Sequence, residues 1–325
     1  MIDENKVENT AAMQLIRGLH NLDRVSHAFQ KGCVLTIGNF DGVHLGHQQI
    51  LDQVAADAAA AGLPSIVMLF EPLPIEFFAP EKAPVRLMNL REKLDAFGNT
   101  HVDYVLVCRF DERFAQMSAN AFVEELLLER LNVKQLVVGD DFRFAKNREG
   151  SFQTLVDSGK KHGFVVDDMS TLLHQGERVS STRIRQALAA HDLDLVQHLL
   201  NKPFYFKGRV IHGKQLGRQL GFRTLNLNPK RLQMPVEGVY TVYVSGLADE
   251  DWPGIANIGV RPTVDGLRPS IEVHLFNWTK DIYGCHVGVK LHQFIRSEMK
   301  FDSLDALKDQ ISKDVQQAKQ ILNLN

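Results

Sequence analysis

The sequence has 325 residues, with 37 Lys and Arg against 39 Asp and Glu, so its formal charge is −2 when the 13 His are neutral. Apolar residues make up 44% and charged residues 23%, which is typical of a globular chain long enough for about two domains. The near-neutral charge excludes a strongly basic nucleic-acid-binding chain, and three distant cysteines argue against a disulfide framework or a zinc ribbon.

The amino-terminal segment carries no targeting signal that we can identify. Its first twelve residues are acidic and lack an apolar run, so they fit neither a secretory nor a mitochondrial signal. The longest apolar stretches, such as residues 66–70, are strand-sized, whereas a membrane-spanning helix needs about 20 apolar residues. We therefore expect a cytoplasmic protein with no membrane partner, ordered from about Met13.

The first 190 or so residues alternate between strand and helix patterns. Strands are predicted at residues 33–37, 66–70, 104–107, 136–138 and 164–166. Helices are predicted at residues 46–61, 119–131 and 151–162. This alternation predicts an α/β fold with a doubly wound parallel sheet, in which ligands bind beyond the carboxyl ends of the strands.

The pattern changes near residues 190–205. A short helix is predicted at residues 193–200, followed by β-like runs at 205–212, 238–244, 255–258, 271–276 and 287–294. Gly and Pro separate these runs, which predicts a small antiparallel β-barrel. A terminal helix capped by Ser303 is expected to bury one apolar stripe, formed by Leu304, Leu307, Ile311, Val315, Ala318 and Leu322. The predicted domains are therefore 13–190 and 205–325, joined by a linker at 191–204.

A glycine-rich segment follows the first of these strands. Residues 38–47 read GNFDGVHLGH and run into a helix. Free backbone N–H groups and the helix dipole at such a turn favour an anion. His44 and His47 add donors for phosphate, and Gly46 permits close approach of the backbone. The alternative is a turn with two incidental surface His, which the strand–turn–helix context disfavours.

Two further segments have a simple and a functional interpretation. Ser181 and Thr182 begin a helix, and Arg185 follows one turn later. Hydroxyls there are ordinarily caps, but with an Arg they also suit a triphosphate. Residues 138–144, VGDDFRF, form a strand end with carboxylates and aromatics, which is either an ordinary loop or a wall of a substrate site. No GxxxxGK[ST] or GxGxxG motif occurs in the sequence, so P-loop and dinucleotide-fingerprint interpretations lose support.

The second half contains the segment HGKQLGRQLGFRTLN at residues 212–226. Its glycines allow a loop to fold over phosphates and open again. Thr224 and Asn226 are two residues apart, so their oxygens face one side of an extended strand, and oxygen ligands suit Mg²⁺. Glu272 lies among apolar strand residues and is a candidate base for a hydroxyl. The alternative for all three is ordinary polar surface.

These motifs, together with residues 257–263 and 294–301, resemble the bacterial bifunctional riboflavin kinase/FAD synthetase family over about residues 13–320. The family phosphorylates riboflavin with ATP to give FMN, and then transfers AMP from ATP to FMN to give FAD and pyrophosphate. The resemblance implies Mg²⁺ as the metal and ATP, riboflavin and FMN as substrates.

The resemblance also implies roles for individual residues. In the first half these are His44, His47 and Arg185 in catalysis, Gly38, Phe40, Asp41, Gly46, Ser181 and Thr182 in nucleotide binding, and Asp141 and Phe142 in flavin binding. In the second half they are Glu272 as the base for the riboflavin 5′-hydroxyl, Gly217 and Gly221 in nucleotide binding, Thr224 and Asn226 as metal ligands, and Arg296 in flavin binding.

Four residues depart from the family pattern. Ala145 and Gln215 stand where Gly is usual or frequent, Arg223 replaces Pro, and Leu225 replaces Ala. We expect Leu225 to crowd the kinase site and to weaken substrate binding. The double change Arg223→Pro with Leu225→Ala should then tighten riboflavin or ATP binding. The alternatives are an FMN adenylyltransferase whose barrel has weak or no kinase activity, a barrel kept as a sensing or partner-binding module, and a transferase acting on a pyridine nucleotide.

Overall fold

A computed structural model describes residues 12–169, 171–212, 221–263 and 266–324 of the chain. The chain divides into two compact units, the first formed by residues 1–84 and 93–179 and the second by residues 85–92 and 180–325. The segment 181–190, which the sequence assigned to the first domain, is counted with the second unit. The predicted domain boundaries remain a prediction.

The first unit is built on a six-stranded sheet. Its strands are β1 (Gln14–Arg17), β2 (Cys33–Ile37), β3 (Ser65–Glu71), β4 (Tyr104–Arg109), β5 (Val133–Val138) and, after the short pair β6 (Arg143–Phe144) and β7 (Gly150–Ser151), β8 (Val165–Asp168). The strand order is β1-β4-β3-β2-β5-β8, with every neighbouring pair parallel. A further hairpin pairs β9 (Leu173–His174) with β10 (Glu177–Arg178).

The helices of the first unit cover the strand connections. They are α1 (Leu45–Ala61), α2 (Pro74–Phe78), α3 (Leu90–Phe97, whose residues from Lys93 onward belong to this unit), α4 (Glu112–Ala115), α5 (Ala119–Ala121) and α6 (Phe152–His162). Three 3₁₀ helices lie at Leu19–Phe29, Pro80–Lys82 and Lys146–Arg148, and a π-helix lies at Phe122–Arg130. The helix predicted at 119–131 is present, but most of it is a π-helix, which the burial pattern of Phe122, Leu126 and Leu127 does not distinguish from an α-helix.

Both faces of the parallel sheet are covered, as the sequence predicted. Strand β2 is buried along its whole length. Val34 packs with Ile50 and Val54 of α1 on one face, whereas Leu35 belongs to the larger core with Leu126 on the other. Because each face of the sheet has its own apolar cluster, the strands read as continuous apolar runs in the sequence.

In its described residues, the second unit is a closed antiparallel barrel accompanied by three helices. The helices are α7 (Ser181–Ala189), α8 (Leu193–Leu200) and α9 (Leu304–Ile321). The strands are β11 (Tyr205–Ile211), β12 (Leu225–Leu227), β13 (Gly238–Ser245), β14 (Trp252–Thr263), β15 (Gly266–Leu275) and β16 (His286–Arg296). They close in the order β11-β12-β15-β14-β13-β16, which confirms the predicted barrel.

The terminal helix packs on the barrel through only part of its predicted stripe. Ser303 caps α9, its Oγ accepting the backbone N–H of Ala306 at 3.1 Å. Ala318 and Leu322 are buried in a cluster with Val239 of the barrel. Leu304 is 59% exposed, so the expectation that it lies on the core face was wrong. A helix-period apolar pattern does not reveal where the neighbouring surface ends.

A buried ion pair joins segments of the second unit. The carboxylate of Glu92 is paired with the guanidinium of Arg231, and both side chains are 1% exposed. Glu92 also accepts the backbone N–H groups of Lys207 and Asn89, at 2.9 and 2.8 Å. These bonds fix the segment 85–92 to the start of β11. Across the described part of the chain, no helix combines the length and hydropathy needed to cross a bilayer.

Candidate active sites

The first candidate site is built at the start of α1. His44 is the N-cap of this helix, and its Nδ1 accepts the backbone N–H of His47 at 3.3 Å. A neutral imidazole that accepts at Nδ1 carries its proton on Nε2. His44 therefore carries its ring proton on Nε2, and its position is fixed by the helix backbone.

The two histidines form a stacked pair. Their ring centroids are 3.6 Å apart, with planes inclined by 14°. Burial lowers the pKa of His47 well below its usual value of 6.5, and the neighbouring His44 and Lys93 lower it further. Nδ1 of His47 is buried and has no hydrogen-bond partner within the described residues. A neutral imidazole with an unused nitrogen is thus held next to a helix N-terminus.

The turn before α1 is compact and depends on its glycines. A Cβ on Gly38 would lie 2.9 Å from the ring of Phe40, and a Cβ on Gly46 would lie 3.3 Å from Nδ1 of His44. Phe40 is buried, with its ring 5.0 Å from that of His47. Asp41 is buried in the same turn. Phe40 thus packs against the imidazole pair. Its predicted nucleotide contact remains a prediction.

The loop after β5 carries the predicted flavin residues. Because β5 is the parallel neighbour of β2, this loop and the 38–47 turn leave the same edge of the sheet. Asp141 is exposed, and the ring of Phe142 is stacked on that of Phe144 at 5.8 Å. Ala145, at the position where the family has Gly, has φ of 66° and ψ of −179°, a conformation that favours glycine.

An aromatic cluster that the sequence did not predict lies at the carboxyl ends of β3 and β4. The ring of Phe110 lies 5.5 Å from Phe77, 5.6 Å from Phe78 and 5.7 Å from Phe70. Phe78 is 63% exposed. The run FEPLPIEFF at residues 70–78, with its three Phe and its Glu-Pro turn, is the signal in the sequence that points to this cluster.

The residues predicted to bind triphosphate belong to the second unit. Ser180 caps α7, its Oγ accepting the backbone N–H of Arg183 at 3.2 Å. The ordinary capping role is therefore filled by Ser180 and does not account for Ser181 and Thr182. The Nε of Arg185 donates to the carbonyl oxygen of Val85 at 2.6 Å. The phosphate-binding roles of these three residues remain predictions.

The second candidate site is formed by strands paired in register. Glu272 of β15 is directly opposite Asn226 of β12 on one side and Asn257 of β14 on the other. Cross-strand partners project to the same face of a sheet. Asn226 is buried, and its Oδ1 has no hydrogen-bond partner in the described part of the chain. The predicted base and one predicted metal ligand are thus neighbours, and Asn257 is an addition that required the strand register.

Thr224 lies in a cleft beside these strands. One wall of this cleft contains Arg223, Thr224 and Leu225, and the other is the segment 278–283, with Trp278, Lys280, Asp281, Ile282 and Tyr283. The guanidinium of Arg223 donates to the carbonyl oxygen of Thr279 at 3.3 Å, so this residue joins the two walls. Leu225 is 5% exposed and is paired with Val273. The barrel therefore accommodates Leu225 as a core residue.

His274 contacts the backbone just before Thr224, near the start of the strand that carries the predicted metal ligand Asn226. Its Nδ1 lies 2.9 Å from the carbonyl oxygen of Arg223, and its ring contacts that of Phe222 edge-on at 5.6 Å. Burial lowers the pKa of His274, against the opposing effect of the bond to Arg223. A neutral ring that donates from Nδ1 to this carbonyl fixes the backbone immediately before Thr224.

The remaining predicted residues of the second site differ in their surroundings. The guanidinium of Arg296 binds the buried carboxylate of Asp314 with three bonds of 2.7–3.1 Å, so it joins β16 to α9. Its predicted flavin contact remains a prediction. Nearby, Oε1 of Glu298 accepts from Asn257 at 3.2 Å. Gly221 is described, with φ of 91°, whereas Gly217 and Gln215 lie outside the described residues.

The fold and the two sites define a class of protein: a nucleotidyltransferase-type parallel-sheet unit and a barrel unit on one chain, each with its own candidate site. Two family models match the sequence, "FAD synthetase" at residues 26–183 and "Riboflavin kinase" at residues 200–322.

Curated relatives match the chain over nearly its whole length. The bifunctional riboflavin kinase/FMN adenylyltransferase of Escherichia coli (strain K12) is 51% identical over 96% of this chain and 99% of the relative. That of Haemophilus influenzae is 48% identical over 96% of this chain and 100% of the relative. The chain belongs to the family of bifunctional riboflavin kinase/FMN adenylyltransferases.

A solved structure from Streptococcus pneumoniae, described as a macrolide-efflux protein, is also similar. It is 28% identical, has a TM-score of 0.76, and matches 95% of this chain and 99% of that chain. The likeness shows that the combination of folds seen here occurs in a solved structure.

Proposed function

We propose that the barrel site phosphorylates riboflavin with ATP to give FMN, and that the site at the start of α1 transfers AMP from ATP to FMN. The observation that carries the proposal is that each unit holds its own set of groups, an imidazole pair at a helix N-terminus in one and a carboxylate beside a buried amide oxygen in the other. The match of both family models favours this function over a transferase with an inactive barrel.

The adenylyl transfer needs positioning and charge stabilisation. A phosphate oxygen of FMN attacks the α-phosphorus of ATP, and the bond from that phosphorus to the pyrophosphate breaks. No proton has to be removed from the FMN phosphate, which is ionised near neutral pH. The Nε2–H of His44, the ring of His47 and the N-terminus of α1 are suited to stabilise the phosphate charge that develops. The protein accelerates the transfer by holding these donors in place before the charge develops.

The aromatic cluster gives this site a surface for the flavin. Phe70, Phe77, Phe78 and Phe110 lie beyond the carboxyl ends of β3 and β4, where ligands of open parallel sheets bind. The isoalloxazine is a flat aromatic ring, and an exposed phenyl such as that of Phe78 suits stacking. We therefore assign FMN to this edge, between the cluster and the loop carrying Asp141 and Phe142.

In the barrel site, Glu272 acts as the base. Its carboxylate takes the proton of the riboflavin 5′-hydroxyl, the oxygen attacks the γ-phosphorus of ATP, and ADP leaves. The cleft beside Thr224 suits ATP, because Trp278 and Tyr283 provide aromatic walls and Lys280 a positive charge. Tyr283 is held by stacking on His212 at 3.8 Å.

The buried amide of Asn226 fits a Mg²⁺ ion. Its Oδ1 is buried without a hydrogen-bond partner among the residues the structure describes, which is costly unless a ligand satisfies it. Asn226 and Thr224 would hold the ion together with phosphate oxygens of ATP, and Mg²⁺ when bound neutralises phosphate charge. The two proposed ligands, Thr224 and Asn226, are uncharged, so the negative charge that balances Mg²⁺ would come from the ATP phosphates.

The cysteines support a reducing location. All three are free, with Cys33 and Cys108 buried and Cys285 exposed. Burial raises the pKa of Cys33 to about 12, so this thiol is unreactive near neutral pH. We therefore propose the cytoplasm as the location. The near-neutral charge of the chain supports small molecules, and not nucleic acid, as its partners.

A time course with the purified chain tests the function. Riboflavin, ATP and Mg²⁺ are added, and FMN and FAD are separated chromatographically. We expect FMN to appear first and FAD after a lag, whereas FMN supplied directly gives FAD without a lag. FAD from supplied FMN but no FMN from riboflavin would instead establish a transferase with an inactive barrel.

A further inference from the structure

A lysine that none of the sequence motifs includes is buried beside the imidazole pair. Lys93 of α3 is 1% exposed, and its Nζ donates to the carbonyl oxygen of Asn39 at 2.8 Å. Asn39 lies in the turn that begins at the carboxyl end of β2 and ends at His44. The ammonium is thus attached to the backbone of the segment that positions both histidines.

The contribution of Lys93 to stability does not by itself explain why this amino group is buried. Transfer of an ammonium out of water is unfavourable even when it is hydrogen-bonded, and an apolar side chain of similar volume is often the more stable choice. A buried charge close to a candidate site is therefore a candidate for a functional role. Lys93 also acts electrostatically on His47, whose pKa it lowers in addition to the larger effect of burial.

The other groups that face His47 do not duplicate this charge. Its ring is stacked on His44 and packed against Phe40, which is uncharged. Asp41, buried in the same turn, carries the opposite sign. Among the described residues that lower the pKa of the His47 ring, Lys93 is the one whose side chain is ordinarily cationic at neutral pH, whereas an imidazole is charged only below its pKa.

We propose that Lys93 is a positioning residue for adenylyl transfer: its amino group fixes the 38–44 turn through the Asn39 carbonyl and adds positive charge near the His44–His47 pair. This inference rests on the proposed transferase function of that pair. In this proposal Lys93 and the imidazoles have different roles: Lys93 supplies positive charge, and the neutral imidazoles supply directed hydrogen bonds to phosphate oxygens.

Three substitutions separate the charge from the hydrogen bond. Lys93→Gln keeps a donor and removes the charge, Lys93→Met removes both, and Lys93→Arg keeps the charge. Lys160→Gln, on the exposed last turn of α6 in the same unit, is the control for loss of one positive charge. The dispersion of the NMR spectrum recorded for the His47 titration reports whether the first unit of each variant remains folded, and FMN formation from riboflavin reports the same for the barrel.

Two readouts are measured for each variant: kcat and KM for FAD formation from FMN, and the titration of the His47 ring by NMR. A group that acts through another should contribute less than the 10²–10³ typical of a donor in contact with the reacting charge, so we expect kcat to fall roughly tenfold to a hundredfold in Lys93→Gln and Lys93→Met, with a smaller change in KM. The pKa of His47 should rise toward 6.5 in both, and should stay near the wild-type value in Lys93→Arg and Lys160→Gln.

The outcomes distinguish this inference from the proposed function. A wild-type chain that makes no FAD from FMN overturns the proposed function. An active wild type with unchanged kcat in Lys93→Gln, or with a loss of kcat but an unchanged His47 titration, overturns only the role of Lys93. If Lys93→Gln and Lys93→Met fail to fold, Lys93→Arg decides: a large shift of the His47 pKa despite the retained charge contradicts the proposal.

Discussion

The two candidate sites are built in different ways, although both handle ATP and a flavin. In the first unit, His44 and His47 belong to one continuous segment: the helix backbone fixes the His44 ring, and the His47 ring is stacked on it. In the second unit, Asn226, Asn257 and Glu272 come from three strands and meet only through their register. A site made by one segment depends on local geometry, whereas a site made across strands depends on the integrity of the barrel.

The largest effect is expected from a substitution at the cross-strand site of the second unit. Glu272→Gln keeps the size and polarity of the side chain but cannot accept a proton, so FMN formation should fall by about 10²–10⁴. FAD formation from supplied FMN should be retained. Glu250→Gln, in an exposed turn, is the matched control. Near-normal kinase turnover in Glu272→Gln would remove Glu272 from the role of base.

At the local site, His47→Ala should have the complementary effect. Loss of a preorganised group at developing phosphate charge costs about 10²–10³ in rate, so FAD formation should fall by that factor. FMN formation from riboflavin should remain close to wild type. His162→Ala, exposed at the end of α6, serves as the control. An equal loss of both activities in a folded variant would contradict the assignment of separate sites.

Leu225 tests how far the cross-strand site depends on the barrel core. Because Leu225 is 5% exposed and paired with Val273, Leu225→Ala should leave a cavity and lower the free energy of unfolding by about 2–5 kcal/mol. The separate expectation that Leu225 crowds the substrate, and that Arg223→Pro with Leu225→Ala tightens riboflavin binding, remains a prediction. Ile211→Ala, at a 42% exposed position of β11, should have a much smaller effect in the same urea titration. Equal stabilities of Leu225→Ala and wild type would contradict a role for Leu225 in the barrel core.

The smallest expected effect is at the loop of the first unit. Ala145 has φ of 66° and ψ of −179°, which costs about 1–3 kcal/mol for a residue other than glycine. Ala145→Gly should therefore raise the free energy of unfolding by about 1 kcal/mol, after the entropy cost of glycine of about 0.5–1 kcal/mol. Ala83→Gly, at an ordinary φ of −65°, should be destabilising. If both changes destabilise the chain, the strain at Ala145 is not significant.

The difference between the sites also explains what the sequence could predict. The strand–turn–helix at residues 33–61 and its histidines were predicted because glycines, a helix start and the motif lie within one segment. Asn257 and the binding of Arg296 to Asp314 were missed because they depend on register and on the docking of α9. Lys93 was missed because a lone lysine in an amphipathic helix is normally solvent-exposed.

Complementation between two damaged chains tests the central claim most directly. Glu272→Gln and His47→Ala are each incubated with riboflavin, ATP and Mg²⁺, separately and mixed, and FAD is followed over time. We predict that His47→Ala alone accumulates FMN, that Glu272→Gln alone forms little product, and that the mixture forms FAD. A mixture that forms no FAD while His47→Ala still releases FMN, or either variant alone making FAD at the wild-type rate, would contradict two separate sites on this chain.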